Sequence, residues 1–298
     1  MRISPFALGC LICSALAVGI GEAGDVRRGW LKVDHTSLRD EAGEVEIHAV
    51  SIDEYRHTFR LLVADSLEFR LSDLDKERCE NLASNSANAE ELKARCLSEF
   101  AFANKRSGFG SGALFLSDYY RRTNASLVVS GGEMAIGSYS IPLPAGLVQV
   151  DGQVLTPLSD PSILDGVVCL DGPRMGIILA AEFSEELSAD CLQTGPILIR
   201  FQEISPRLEA AEAFGLYVPA RHTFVCVRGN GIVLGISEPV GLLRLANLLV
   251  TLDCDDAMRL SSDPIAGVYA TGFQSGNEAL PVHNAIGVFS DADAIAGP

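Results

Sequence analysis

The chain has 298 residues, with 23 Lys+Arg against 39 Asp+Glu and a formal net charge of −16 at pH 7. That balance repels nucleic-acid phosphates and anionic membrane surfaces alike, and no basic patch stands out to reverse it. Hydrophobic residues make up 48% of the chain and its mean hydropathy is +0.23, which excludes disordered, collagen-like and coiled-coil classes and supplies a packed core.

Residues 1–23 place Arg2 before an apolar run from Phe6 to Ile20, followed by small residues around Gly21 and Ala23. This is the order of a secretory leader, and the run is short for a membrane span of about 20 apolar residues. The expectation is an exported chain, secreted or periplasmic, with no transmembrane segment once the leader is removed. Of the 8 cysteines, Cys10 and Cys13 lie in the leader, leaving Cys79, Cys96, Cys169, Cys191, Cys226 and Cys254. An even number in an oxidising compartment permits disulfides, but spacing does not choose the pairs. Cys79 and Cys96 pair most readily as a local hairpin, whereas Cys169 and Cys226 sit in apolar runs where a small core thiol is the plainer reading. The mature chain has no CxxC and few histidines, so zinc is not expected, and no cofactor is implied.

Glu44 to Ala64 alternates as two strands, Val45 to Ser51 and His57 to Val63, about a turn at Asp53-Glu54-Tyr55, which predicts a β-hairpin. Leu67 to Phe102 has helical spacing and predicts one or two surface helices. Leu127 to Val129 is an apolar strand running into the glycine turn Ser130-Gly131-Gly132. Pro144 to Pro157 predicts a hairpin about Asp151-Gly152, the dipeptide favoured in type I′ turns, and Val167 to Ala181 a second about Asp171-Gly172. Cys191 to Ile199 is a glycine-proline turn into a strand, Thr223 to Ile236 a strand pair about Gly229-Asn230-Gly231, and Val240 to Val250 a buried helix. Asp253 to Leu260 is a strand and Ser261 to Gly267 a polar turn. With no fixed-period repeat and no Pro/Ser linker, the pattern predicts one α+β domain: a largely antiparallel, hairpin-rich sheet with flanking helices. The expected organisation is a leader at 1–23, an extension at 24–44, the domain at 45–272 and a tail at 273–298.

Five of these pieces in this order resemble the phosphodiester glycosidase family. They are the strand into Ser130-Gly131-Gly132, Pro144-Ala145-Gly146-Leu147 with Asp151-Gly152, Gln193-Thr194-Gly195-Pro196, Arg221 before a strand pair, and Cys254 through Leu260. The resemblance implies hydrolysis of a sugar-phosphate diester, on an envelope glycan or glycolipid. The chain departs from the family pattern at two places. The family usually has asparagine at the first turn, where this chain has Ser130-Gly131-Gly132-Glu133. It usually has leucine, aspartate and glycine at the last strand, where Leu260 is followed by Ser261-Ser262-Asp263-Pro264.

Cleavage at the anomeric carbon requires charge stabilisation on the phosphate leaving group and a carboxylate to assist water or meet the developing oxocarbenium ion. Arg221 is the expected phosphate-holding cation, because a guanidinium fork matches two phosphate oxygens; a surface salt bridge is its other reading. Glu133 and Asp263 are the expected catalytic carboxylates, and Ser130, Gly131, Gln193, Gly195 and Ser261 the expected substrate-binding positions. His222 is read as structural. Asp253, Asp255 and Asp256 are an acidic cluster that suits Ca²⁺ by residue type but lacks the ligand set of a calcium loop. The alternative function, prompted by Ser261 at the aspartate position, is a catalytically silent glycan-binding or structural envelope protein.

Overall fold

The computed structural model describes residues 31–40, 43–53, 56–64, 80, 93, 113–136, 142–162, 164–213, 218–229, 231–276 and 280–290. The expected leader, and the Cys79 and Cys96 pairing, lie outside these residues. Of the expected helical stretch 67–102, Glu80 and Lys93 are described; both are helical, and Lys93 Nζ donates to Glu80 Oε1 at 2.6 Å.

Three antiparallel sheets dominate. Sheet 1 runs in the order β1 (Lys32–Asp40), β2 (Gly43–Asp53), β15 (Gly231–Ser237), β14 (His222–Arg228), β16 (Asp256–Ser262), β12 (Ile197–Arg200) and β13 (Glu203–Ile204). Sheet 2 runs β10 (Arg174–Leu179), β9 (Gly166–Asp171), β11 (Asp190–Thr194), β7 (Val148–Val150) and β8 (Gln153–Thr156). Sheet 3 runs β18 (Phe273–Gly276), β17 (Gly267–Ala270), β4 (Leu127–Ser130), β19 (Asn284–Ser290) and β3 (His57–Val63). A two-stranded ribbon, β5 (Met134–Ile136) with β6 (Pro142–Pro144), follows β4. The bounded helices among the described residues are α1 (Leu116–Arg122), α2 (Pro206–Ala213) and α3 (Leu242–Val250), of 7, 8 and 9 residues.

This corrects the α+β expectation: the fold is β-rich, three sheets closing around one core with short helices behind them. The reason lies in strands buried on both faces, which carry no alternation to announce them. All seven residues of β19 are buried, as are all four of β4. The residues expected to form a C-terminal tail supply β18 and β19, and those expected to form an extension supply β1. The predicted hairpin at 45–63 is also corrected. Both strands exist, but β2 pairs with β1 and β15 whereas β3 pairs with β19. Tertiary pairing overrides the local turn because β3 sits at the seam with sheet 2, where Phe59 N donates to Gly172 O at 2.7 Å and Leu61 N to Asp190 Oδ2 at 3.1 Å.

The central core draws on all three sheets, with Val50, Phe59, Leu127, Val168, Leu192, Val225, Met258 and Ile286 among its members. Each such side chain contributes roughly 1.5–3 kcal/mol by leaving water. Behind sheet 1, Leu242, Leu245, Ala246 and Leu249 place one apolar face of α3 on Ile199, Phe224 and Ala257. Behind sheet 3, α1 contributes Leu116 and Tyr119 to a further cluster.

Local signals that depend only on neighbours in sequence form as expected. Asp151 and Gly152 take φ of 50° and 75° between β7 and β8. The β9–β10 hairpin forms one residue later than its dipeptide suggests, with Asp171 facing Arg174 across Gly172-Pro173. Two disulfides decide the alternatives left open for the apolar cysteines. Cys169–Cys191 joins facing positions of β9 and β11, and Cys226–Cys254 ties β14 to the chain leaving α3.

Candidate functional site

Two turns bring the relevant backbone together at one end of sheet 1. Between β11 and β12 the chain passes from sheet 2 to sheet 1 through Gly195 and a cis Pro196. The switch is tight: a Cβ on Gly195 would stand 2.9 Å from Asp165 Oδ1, so only glycine fits without displacement. Asp165 Oδ1 accepts from Ile197 N at 2.7 Å and so pins the start of β12, while Oδ2 pairs with Arg207 at 3.3 Å. Burial pushes the Asp165 carboxyl up from the ordinary carboxylate range, opposed by the Ile197 amide and Arg207.

The second turn follows β4. Gly132 N donates to Asn284 Oδ1 at 2.7 Å, and a Cβ on Gly131 would lie 2.1 Å from the same oxygen. The next residue is Glu133, whose carbonyl accepts from Ala145 N at 3.0 Å. The Glu133 backbone is therefore fixed on both sides of the residue, and its side chain reaches over the end of β16.

A register shift in β16 decides what Glu133 meets. Ser262 faces His222 and Ser261 faces Thr223, but Arg259, not Leu260, faces Phe224. Leu260 is thus an extra residue in the ladder. Regular alternation would put Arg259 and Ser262 on opposite faces of the strand; the extra residue puts them on the same one. Both reach Glu133 there: Arg259 Nη2 lies 3.0 Å from Oε1, and Ser262 Oγ donates to Oε1 at 3.0 Å. Arg259 is further held by Nε donating to Gly195 O at 2.6 Å, and its own amide donates to Pro196 O at 3.2 Å. The arginine and glutamate side chains are 12% and 20% exposed, so the pair is largely desolvated yet reached from solvent.

His222 lies under the same group. Its Nε2 bonds Val240 O at 3.0 Å just before α3, and since a carbonyl only accepts, Nε2 carries the proton. Nδ1 is buried with no partner. Burial, with the Arg259 charge adding to it, lowers the imidazole to about 4, so it is neutral at pH 7.

The expected site residues divide as follows. Glu133 and Gly195 meet through Arg259. Asp263 stands one residue beyond Ser262, with Oδ2 accepting from Arg221 N at 3.0 Å and its own amide donating to Arg221 O at 3.0 Å. The Arg221 guanidinium pairs with Glu238 at 3.4 Å, and its Nε is buried without a partner. Ser130 and Ser261 meet, with their Oγ atoms 2.6 Å apart, and Thr223 Oγ1 stands 2.7 Å from Ser261 Oγ. All three residues have no exposed surface, so these hydroxyls bond one another inside the core. Gln193 is likewise buried and occupied: Oε1 accepts from Leu147 N and Ser159 N, while Nε2 donates to Ser159 O and Leu164 O.

Sequence reasoning passed over Arg259 and Ser262, although both lie in or beside the motif around β16. No local signal reveals a β-bulge in an apolar strand, and without it Arg259 counts as a residue facing away from Ser262. In the acidic cluster, Asp255 accepts from Gly229 N at 2.7 Å and Gln202 Nε2 at 2.6 Å, and Asp256 pairs with Arg200 at 3.5 Å. Among the described residues no three His, Cys, Asp or Glu side chains converge to hold a metal ion. No described helix is long and apolar enough to cross a membrane.

No family model matches the chain, and no curated protein matches its sequence. Solved structures do match its fold. A hypothetical protein from Synechocystis superposes with a TM-score of 0.53 at 12% identity over 88% of this chain; the chain spans 62% of that protein's length. The catalytic domain of zebrafish N-acetylglucosamine-1-phosphodiester alpha-N-acetylglucosaminidase, auto-inhibited by its pro-peptide, superposes with a TM-score of 0.53 at 10% identity, covering 86% of this chain and 81% of that one. At such identities the likeness is one of fold.

Proposed function

We propose that the protein is an exported glycosidase-like hydrolase acting on a sugar-phosphate diester of an envelope glycan or glycolipid. The observation that carries this reading is the Glu133–Arg259 pair: a guanidinium and a carboxylate side by side, largely desolvated, and oriented by Ser262 and the Gly195 carbonyl. Arg259 takes the role expected of Arg221, whose guanidinium is paired with Glu238. The fold shared with a phosphodiester glycosidase domain supports the substrate class, and the two disulfides suit an oxidising compartment.

In the proposed reaction the leaving phosphate lies on the Arg259 fork, which gains interaction as the oxygen leaving the anomeric carbon takes up negative charge. Water adds to the anomeric carbon as the bond from that carbon to the phosphate oxygen breaks. Glu133 takes the water proton, and the products are a free sugar and a phosphomonoester.

The test is a p-nitrophenyl diester of a sugar 1-phosphate incubated with the full chain, with and without added phosphatase. Cleavage at the anomeric carbon gives p-nitrophenyl phosphate, so colour requires the phosphatase. Arg259→Lys and Glu133→Gln are each expected to lower kcat/KM about 100-fold or more. Turnover unchanged by both substitutions would remove this site.

A specific observation favours a second reading, a catalytically silent glycan-binding protein. Ser261, where the resembled family carries aspartate, is sealed among Ser130 and Thr223 hydroxyls and presents no carboxylate. Saturable glycan binding without turnover would establish that alternative.

A further inference from the structure

A cleft of about 600 Å³ lies between the loop at Asp160 to Ser162, the end of β10, the β12–β13 hairpin and the start of α2. Leu179, Ile197, Ile204 and Pro206 give it apolar walls, with Arg200, Arg207, Asp160, Asp165 and Glu203 as its charged groups. At its edge stands Phe201, 74% exposed. The β12–β13 turn consists of Phe201 and Gln202, with φ of 51° and 67°. Glycine and asparagine are the residues that occupy such positions without strain; a bulky aromatic is an outlier there. The backbone thus holds a large apolar ring out in water, in an unfavourable conformation, at the mouth of a cleft. The turn backbone is held by Phe201 N donating to Asp256 Oδ1 at 3.1 Å and Gln202 N to Asp255 O at 2.7 Å, but the ring itself is left in water, and backbone strain of this kind is concentrated where ligands bind. Arg200 steadies the ring: its guanidinium carbon lies 4.6 Å from the ring centroid, and Nη1 donates to Ile177 O at 2.7 Å.

Charge decides the class of ligand. The two arginines face three carboxylates, and both are already engaged, Arg207 with Asp165 and Arg200 with Asp256. An anionic chain would meet net repulsion. An uncharged saccharide would not: carboxylate oxygens accept its hydroxyls, guanidinium N–H groups donate to them, and the apolar C–H face of a pyranose packs on an aromatic ring.

We propose that this cleft is a binding site for a neutral saccharide, with Phe201 as the stacking platform and Arg207, Asp160 and Glu203 as the hydroxyl partners. Neither Glu133 nor Arg259 lines this cleft, and the site does not depend on that pair's activity. It would hold a sugar unit of a longer glycan, whatever happens at the pair.

Ligand-observed saturation-transfer NMR on the full chain tests it. The probes are neutral oligosaccharides of glucose, mannose, galactose and N-acetylglucosamine, with oligogalacturonate as the anionic control. Transfer to the pyranose C–H protons of at least one neutral probe is expected. Phe201→Ala should weaken it about ten-fold, the cost of losing an aromatic anchor, while Phe201→Tyr should retain it. Because the ring is exposed, Phe201→Ala is expected to unfold at the same denaturant midpoint as the parent. Absence of transfer to every neutral probe, undiminished transfer in Phe201→Ala, or preference for oligogalacturonate would each overturn the proposal.

Discussion

The Nε–H of Arg259 is committed to the Gly195 carbonyl and its Nη2 to Glu133, so the guanidinium plane is set before any ligand arrives. Such pre-organisation is what a phosphate-holding group requires, since no reorganisation is left for the transition state. The same charge acts on His222. Burial first, and Arg259 second, keep its imidazole at about 4 against an ordinary 6.5, with the Val240 carbonyl and Asp263 pulling the other way. As the pH falls from 6.5 toward 4, the unfolded chain binds a proton that the folded chain refuses, so folded stability declines through that window and levels off below it. The loss is about 3 kcal/mol. Urea unfolding across this range should show a steeper decline for the parent than for His222→Gln, which keeps a donor for Val240 and does not titrate; parallel curves would mean that His222 is not held neutral. At this scale the turn position of Glu133 after two glycines was legible, though its contacts with Arg259 and Ser262 were not. The sequence was illegible at Gln193, whose four side-chain hydrogen bonds go to three residues on other segments, Leu147, Ser159 and Leu164.

At the scale of elements, the hairpin at Asp151-Gly152 could be read because its backbone preference is local, and α3 because its leucines recur on one face. The bulge at Leu260 could not. It inserts one residue into a strand whose flanking side chains are all compatible with regular pairing, and only the partner strand β14 fixes where the shift falls. The Cys226–Cys254 bridge has a bearing on this region, because it fastens β14 to the chain between α3 and β16. It closes a loop with a sequence separation of 28, for which loop-closure entropy gives about 3 to 4 kcal/mol of stabilisation. The double substitution Cys226→Ala, Cys254→Ala should lower the unfolding free energy in guanidinium by that amount. A change below about 1 kcal/mol would show that the unfolded chain is not restrained by this link.

Across the whole molecule, three sheets share one core, and the residues of the proposed site gather where their ends meet. β4 of sheet 3 delivers Glu133, β11 of sheet 2 delivers Gly195, and β14 and β16 of sheet 1 deliver His222, Arg259 and Ser262. Individual strands such as Leu127–Ser130 are readable as apolar runs, but which sheet each joins depends on contacts between distant segments. Ser130 and Asn284 are far apart in the chain yet flank the same turn. That is why the α+β expectation gave way. The most direct measurement is a crystal structure of the protein with a non-hydrolysable glycosyl phosphonate. The phosphonate is expected on the Arg259 guanidinium with the anomeric carbon facing Glu133; a phosphonate seated on Arg221 or Arg207, with the Glu133–Arg259 pair untouched, would contradict the proposed site.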